Sequence, residues 1–127
     1  MLDHIGLNVT DFARSKAFYE RALAPLGISV LMEPVPGVAG FGEQHDQKPY
    51  FWIGTRDAPQ RGVHVAFATG SRELVDAFHA AALEAGGTDN GAPGVREIYH
   101  PSYYGAYVLD LDGNNVEAVC HRPPPEA

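Results

Sequence analysis

Three residues in this chain have the types and placement to hold a divalent metal: His4, His64 and Glu117. Each histidine heads a segment of alternating apolar residues, 5–9 and 63–67, which reads as a strand. Side chains alternate across a strand. Ile5, Leu7 and Val9 therefore share one face, while His4, Gly6 and Asn8 share the other. In the second segment Val63, Val65 and Phe67 lie opposite His64, Ala66 and Ala68. Each histidine thus begins a face of small residues, which leaves room for a ligand. Glu117, between Val116 and Ala118 in the last apolar run, can join that face. Two neutral imidazoles and one carboxylate suit Fe(II), Mn, Zn or Ni and leave coordination positions open for water and substrate. On the residues alone the ordinary reading stays open, with two strand histidines and a solvated edge carboxylate.

The elements that would position these residues follow from an internal repeat at an offset of 60 residues. His4 matches His64, Ala17 matches Ala77, Phe18 matches Phe78, Leu23 matches Leu83 and Gly27 matches Gly87, without a gap. In each copy a helical pattern follows the strand: Ser15, Phe18, Tyr19, Ala22, Leu23 and Leu26 in the first, Val75, Phe78, His79, Ala82, Leu83 and Gly86 in the second. Asp11 and Ser71 are the expected N-caps, and Gly27 and Gly87 the expected stops. The rest of each copy reads as strands and turns. In the first copy these are Ile28–Met32, Phe41 and residues 50–53. In the second they are residues 103–109 and 116–120, flanking the hairpin signal Asp112-Gly113-Asn114-Asn115. Module one spans residues 1–57 and module two residues 62–122, with a Pro- and Gly-containing linker at 55–62 and a Pro-rich tail, 123–127, expected to be disordered. The expected fold is α+β, two βαβββ modules forming a cupped, barrel-like mixed sheet around one site.

Composition narrows the function classes. The 127 residues carry a formal net charge of −7 and no basic stripe, which argues against a nucleic-acid surface. No stretch approaches the roughly 20 apolar residues of a membrane span. The single cysteine, Cys120, cannot form an intramolecular disulfide, and the N-terminus lacks the basic start and apolar run of a signal peptide. A cytoplasmic location is the expectation. The Asp110, Asp112, Asn114 series is not an EF-hand, because its glycine is misplaced and no closing glutamate follows. Gly40-Phe41-Gly42 is no dinucleotide fingerprint.

The segments DHIGLNVTDFARSKAFYERAL (3–23), GVHVAFA (62–68) and YGAYVLDLDGNNVEAV (104–119) resemble the vicinal oxygen chelate superfamily. That superfamily includes glyoxalase I, bleomycin- and fosfomycin-resistance proteins and extradiol dioxygenases. The resemblance covers nearly the whole chain and implies a metal held by His4, His64 and Glu117, the ion being Fe, Mn, Ni, Co or Zn. It further implies a small-molecule substrate and a homodimer, the cup being built within one chain or across two. Glyoxalase-type members carry a fourth ligand in the last strand of module one, where this chain has Tyr50, Phe51, Trp52 and Ile53 and no donor. The remaining set resembles that of the dioxygenases, in which Tyr107 and His100 fall near active-site tyrosine and histidine positions. These two are the candidate catalytic residues, movers of protons. Phe51, Trp52, Tyr103 and Tyr104 are candidates for an aromatic substrate wall, and Arg96 for steering an anionic group. The leading expectation is a metal-dependent lyase, isomerase or dioxygenase. Its rival is a metal-free, bleomycin-resistance-like protein that sequesters an aromatic ligand, and a third reading is a regulatory module with a vestigial site.

Overall fold

Asp11 has extended backbone and accepts a hydrogen bond from the Arg14 amide (3.1 Å), so the first helix, α1 (Phe12–Leu23), starts where the sequence places its cap. Its buried stripe is Ser15, Phe18, Tyr19, Ala22 and Leu23. A 3-10 turn, Ala24–Leu26, with Pro25 inside it, ends at Gly27 with φ 77°. The second helix, α2 (Arg72–Glu84), has Ser71 at its cap position, but the serine side chain makes no capping bond and Glu73 supplies negative charge to the first turn. Its stop also differs from expectation. Gly86 takes the left-handed backbone (φ 107°), while Gly87 is required by close approach, since a Cβ there would lie 2.4 Å from Val108 and 2.9 Å from Phe18.

This computed structural model describes residues 1–125. The strands are β1 (Ile5–Asn8), β2 (Ile28–Met32), β3 (Val38–Glu43) and β4 (Phe51–Gly54) in module one. Module two has β5 (His64–Ala68), β6 (Thr88–Val95), β7 (Tyr104–Leu109) and β8 (Asn115–Cys120). Each module is therefore βαβββ, and each forms its own four-stranded sheet with the same order, β1-β4-β3-β2 and β5-β8-β7-β6. The first and last strands of each module pair in parallel and the other pairs are antiparallel. The two sheets are not joined into a closed barrel. Residues 123–125 have no helix or strand, and the last two residues of the expected tail lie outside the described residues.

One core serves both modules. Phe51 of β4 meets Tyr19 (5.0 Å between ring centroids) and Phe67 of β5 (5.3 Å) edge-on, and Tyr19 also meets Phe18 and Phe41. Burying side chains of this size stabilises the fold by about 1.5–3 kcal/mol each. A polar tie adds to the apolar one. The buried Tyr19 hydroxyl donates to Asp110 (2.5 Å), and Thr10 donates through its amide and hydroxyl to Asp112. Burial first, then the Asp110 carboxylate, push the Tyr19 phenol well above its ordinary range. Asp110 also accepts from the amides of Asp112 and Asn114 (2.9 Å each), and Asn114 accepts from the Val63 amide at 3.0 Å. The hairpin the sequence marks as a turn is thus also the joint between the modules.

Candidate functional site

The register of module two sets one face of its sheet. Ala66 opposes Glu117 and Glu117 opposes Tyr107, so His64, Glu117 and Tyr107 share the side away from the core. Val65, Phe67, Val116, Ala118 and Val108 take the other side, against the helices. Ala66 and Ala68 are exposed, leaving the polar face open.

Glu117 is wholly buried on that face, 0% exposed, yet both carboxylate oxygens are engaged. Oε1 lies 2.7 Å from His64 Nε2, and Oε2 accepts from the Tyr103 hydroxyl. The His64 side chain itself is 53% exposed, so the pair runs from the sheet surface to solvent. Gly105 lies beneath: a Cβ there would stand 3.3 Å from Glu117 Oε2 and 3.2 Å from the Tyr103 ring. Burial, then hydrogen bonding to Glu117, raise the Tyr103 phenol far above its ordinary value. Tyr107 is raised by burial and by the Glu117 charge, against a lowering hydrogen bond from Tyr103. Both phenols are therefore proton donors at neutral pH.

His4 does not join this pair within one chain. It precedes β1, is exposed, and its Nδ1 lies 2.7 Å from Asp3, which also accepts from Lys48. Among the described residues, the one group of three or more His, Cys, Asp or Glu donors lying within 4.8 Å of one another is Glu43, His45 and Asp46. His4 and His64 belong to different sheets, and the His4 ring is engaged by Asp3. His4 and His64 instead border one cleft of about 600 Å³ between them, with Ile5, Phe51, Val65 and Ala66 also in its wall. The Glu43, His45, Asp46 group sits at the exposed turn between β3 and β4, with His45 Nε2 3.4 Å from each carboxylate. The sequence reading missed it, although the spacing Glu-x-His-Asp was visible.

The other expected residues divide. Trp52 is half-buried on the face of sheet one equivalent to that of Glu117, in a row with Gly6 and Gly40. Its indole lies across Gly40, where a Cβ would come within 2.8 Å of two ring carbons. Phe51, expected in a substrate wall, is 1% exposed and packs in the core against Tyr19, while also lining the cleft between His4 and His64. Tyr104 also departs from that expectation. It follows Tyr103 directly and so faces the helices, donating to Asp76 (2.6 Å) with Arg72 over its ring. Arg96 lies over the Tyr107 ring, 5.3 Å from its centroid. His100 is exposed in the loop between β6 and β7, where its Nδ1 accepts from the Ser102 amide at 2.9 Å. His121 meets Tyr103 edge-on at 5.2 Å on the rim, and Cys120 is in the core.

A paired sheet of this order, with a His and a Glu on the open face of its first and last strands, defines a class, and comparison with known proteins agrees. The family model described as the Glyoxalase/Bleomycin resistance protein/Dioxygenase superfamily matches residues 1–118, and the chain belongs to that family. A glyoxalase/bleomycin resistance protein from Albidiferax ferrireducens T118 is 32% identical, with a TM-score of 0.79 over 95% of this chain and 98% of that one. Two further structures share the fold. One is a glyoxalase/bleomycin resistance protein/dioxygenase family enzyme from Burkholderia phytofirmans PsJN, with 19% identity, a TM-score of 0.73 and coverage of 95% and 98%. The other is a glyoxalase-related enzyme from Fulvimarina pelagi, with 17% identity, a TM-score of 0.71 and coverage of 94% and 87%. No curated protein matches the chain. No helix among the described residues is long and apolar enough to cross a membrane.

Proposed function

We propose that the chain is a cytoplasmic, metal-dependent enzyme for a small oxygen-bearing substrate, acting as a lyase, isomerase or dioxygenase and working as a homodimer. The observation that carries this is the buried Glu117 carboxylate joined at 2.7 Å to a half-exposed imidazole on an open face. An anion kept out of solvent costs several kcal/mol unless compensated, and a cation at the same spot compensates it. The donor types fit a divalent ion, Fe, Mn, Ni, Co or Zn. Within one chain they supply two ligands, His64 and Glu117, so the third, His4, comes from a second copy whose module one faces this module two. That arrangement also explains why His4 is exposed and lies apart from the pair. When bound, the ion supplies Lewis-acid polarisation of substrate oxygens.

The chain's own residues do the rest. Tyr103 holds one oxygen of Glu117 and leaves the other toward His64, so the carboxylate presents a single oxygen. Tyr107 and His100 are the proposed proton movers: burial and the Glu117 charge keep the Tyr107 hydroxyl protonated and ready to hydrogen-bond a substrate oxygen, and His100 stands exposed in the β6–β7 loop. Trp52 on its glycine floor would offer substrate a flat apolar surface where module one of a second copy faces this module two.

A second reading, a metal-free protein that sequesters a flat ligand, is favoured by one observation: among the described residues of one chain, His4 is not gathered with His64 and Glu117. Elemental analysis of protein purified without added metal, together with sedimentation, separates the two. One ion per chain in a dimer is expected. A metal-free dimer that still quenches Trp52 with aromatic ligands would replace the enzyme reading with sequestration.

A further inference from the structure

The loop between β6 and β7, residues 96–103, is closed at its base by a hydrogen bond from the Arg96 amide to the Tyr103 carbonyl (2.7 Å). The two side chains at this base do different things. Tyr103 reaches Glu117, whereas Arg96 turns over Tyr107, the cross-strand neighbour of Glu117. The guanidinium is held from behind by the Ala92 carbonyl, which accepts from one of its NH2 groups at 2.6 Å. Among the described residues no carboxylate forms an ion pair with it. Two half-buried arginines are held this way without a carboxylate partner: Arg72, on the Arg122 carbonyl and over Tyr104 on the helix side, and Arg96, which alone of the two lies on the face of Tyr107 and Glu117.

The composition of β6 fits this arrangement. Asn90-Gly91-Ala92-Pro93-Gly94 is poor strand material, and the pairing register slips around Gly91 and Gly94. A Cβ at Gly94 would stand 2.9 Å from one guanidinium nitrogen, and one at Gly91 would stand 2.7 Å from the Tyr107 ring. The glycines form the bed on which the arginine and the tyrosine lie. An immobilised guanidinium loses little freedom when it binds, and its planar donors match a carboxylate.

The geometry points to Arg96 as the anchor for a carboxylate on the substrate, which places the substrate class among small organic acids. The inference rests on the proposed function only in taking the open face of sheet two as the substrate's place. The carboxylate meets the edge of the Arg96 guanidinium that Ala92 leaves free, beside Tyr107, and the rest of the acid extends toward His64 and Glu117. Arg96 touches substrate through charge and acts in binding, while Tyr107 remains free to move a proton.

The test compares benzoate with benzamide, which share shape and differ in charge, by calorimetry on metal-free and Mn(II)-treated protein. Benzoate should bind at least about tenfold more tightly than benzamide, the ratio expected for one charge-assisted contact of this kind. Arg96→Gln should remove that preference and leave benzamide binding unchanged, and Arg96→Lys should fall between. Equal affinity of the parent for the two ligands would overturn the anchor. So would an Arg96→Gln variant that keeps the benzoate preference, or one that weakens both ligands alike. The metal-free arm separates the two ideas. Failure of Mn(II) to bind, with the charge preference intact, removes the metal reading and keeps the anchor.

Discussion

Replacing Glu117 by Gln preserves shape and removes the negative charge at the centre of the proposed site. Two effects have to be weighed in the metal-free protein. The carboxylate gives up two charge-assisted contacts, to His64 and Tyr103, but the fold no longer has to bury an anion that is 0% exposed. The amide oxygen still accepts from Tyr103, and the amide nitrogen donates to His64 once the imidazole takes the accepting tautomer. The net loss should be about 1 kcal/mol, a fall in Tm of about 4 °C for a chain of this length. The effect on metal is much larger. An ion at a hundredfold excess over its dissociation constant stabilises the parent by about 2.7 kcal/mol, a rise of roughly 10 °C. In Glu117→Gln that rise should disappear, since the remaining imidazoles carry no charge to offset the dication. Calorimetric scans of both proteins at one concentration, with and without Mn, Fe, Co, Ni and Zn, provide the measurement. A variant that keeps the parent's metal-induced shift would refute the assignment of Glu117, and a parent with no shift from any ion would refute the metal itself.

Four further outcomes are expected. Because His4 is proposed to come from the opposite copy, co-refolding equal amounts of His4→Ala and Glu117→Gln chains should restore one intact metal site per mixed dimer, measurable as metal content about a quarter of the parent's when half of the dimers are mixed; no recovery would place all ligands in one chain. Sedimentation at micromolar concentration should give a dimer, and a monomer would contradict the cross-copy site. Gly40→Ala puts a methyl group 2.8 Å from the Trp52 ring and 2.9 Å from Pro49, and should cost about 1–3 kcal/mol and shift Trp52 emission; an unchanged spectrum and urea midpoint would show that the indole does not rest on that glycine. Tyr19→Phe removes the hydroxyl that Asp110 accepts from and should destabilise the protein by about 1.5–3 kcal/mol in urea unfolding, whereas a change within error would mean that the inter-module tie is not held by this bond.

The repeat made most of the fold legible. Once His4 and His64, Phe18 and Phe78, and Gly27 and Gly87 fall in one register, the βαβββ plan of one module predicts that of the other. Local signals alone would have missed β6, whose Gly- and Pro-containing sequence carries no strand pattern. It is a strand because it pairs with β7, and its glycines answer to Arg96 and Tyr107 rather than to backbone preference. The site was only partly legible for a related reason. Alternation shows which face a residue takes, and it brings His64, Glu117 and Tyr107 together, but it does not show how far apart two sheets stand. His4 therefore lined up by pattern and stands apart in space. Phe51 and Tyr104 were grouped with Trp52 and Tyr103 by residue type, yet as their immediate neighbours along the strand they must face the opposite way. The link between Tyr103 and Glu117 carries no sequence signature, because it depends on Gly105 leaving the space between them.

The duplicated modules have diverged in a way that bears on what they hold. At equivalent strand positions, sheet two offers Ala66, Glu117 and Tyr107, with His64 matching His4 and Arg96 at its margin. Sheet one offers Gly6, Trp52 and Gly40, a flat ring on a floor stripped of side chains. A pocket for a metal alone would need no such floor, and one for an apolar ligand alone would not bury a carboxylate. If the two faces meet in one site, as proposed, they would suit a ligand with a flat or apolar side and an oxygen-rich, anionic side. Binding from the flat side is tolerant of the ligand's identity, while the polar side fixes its orientation through Arg96 and the Glu117 pair. Selectivity on this reading resides in module two and affinity in module one. The face of sheet two can therefore change its chemistry without loss of the fold, since its polar residues point away from the core that both modules share.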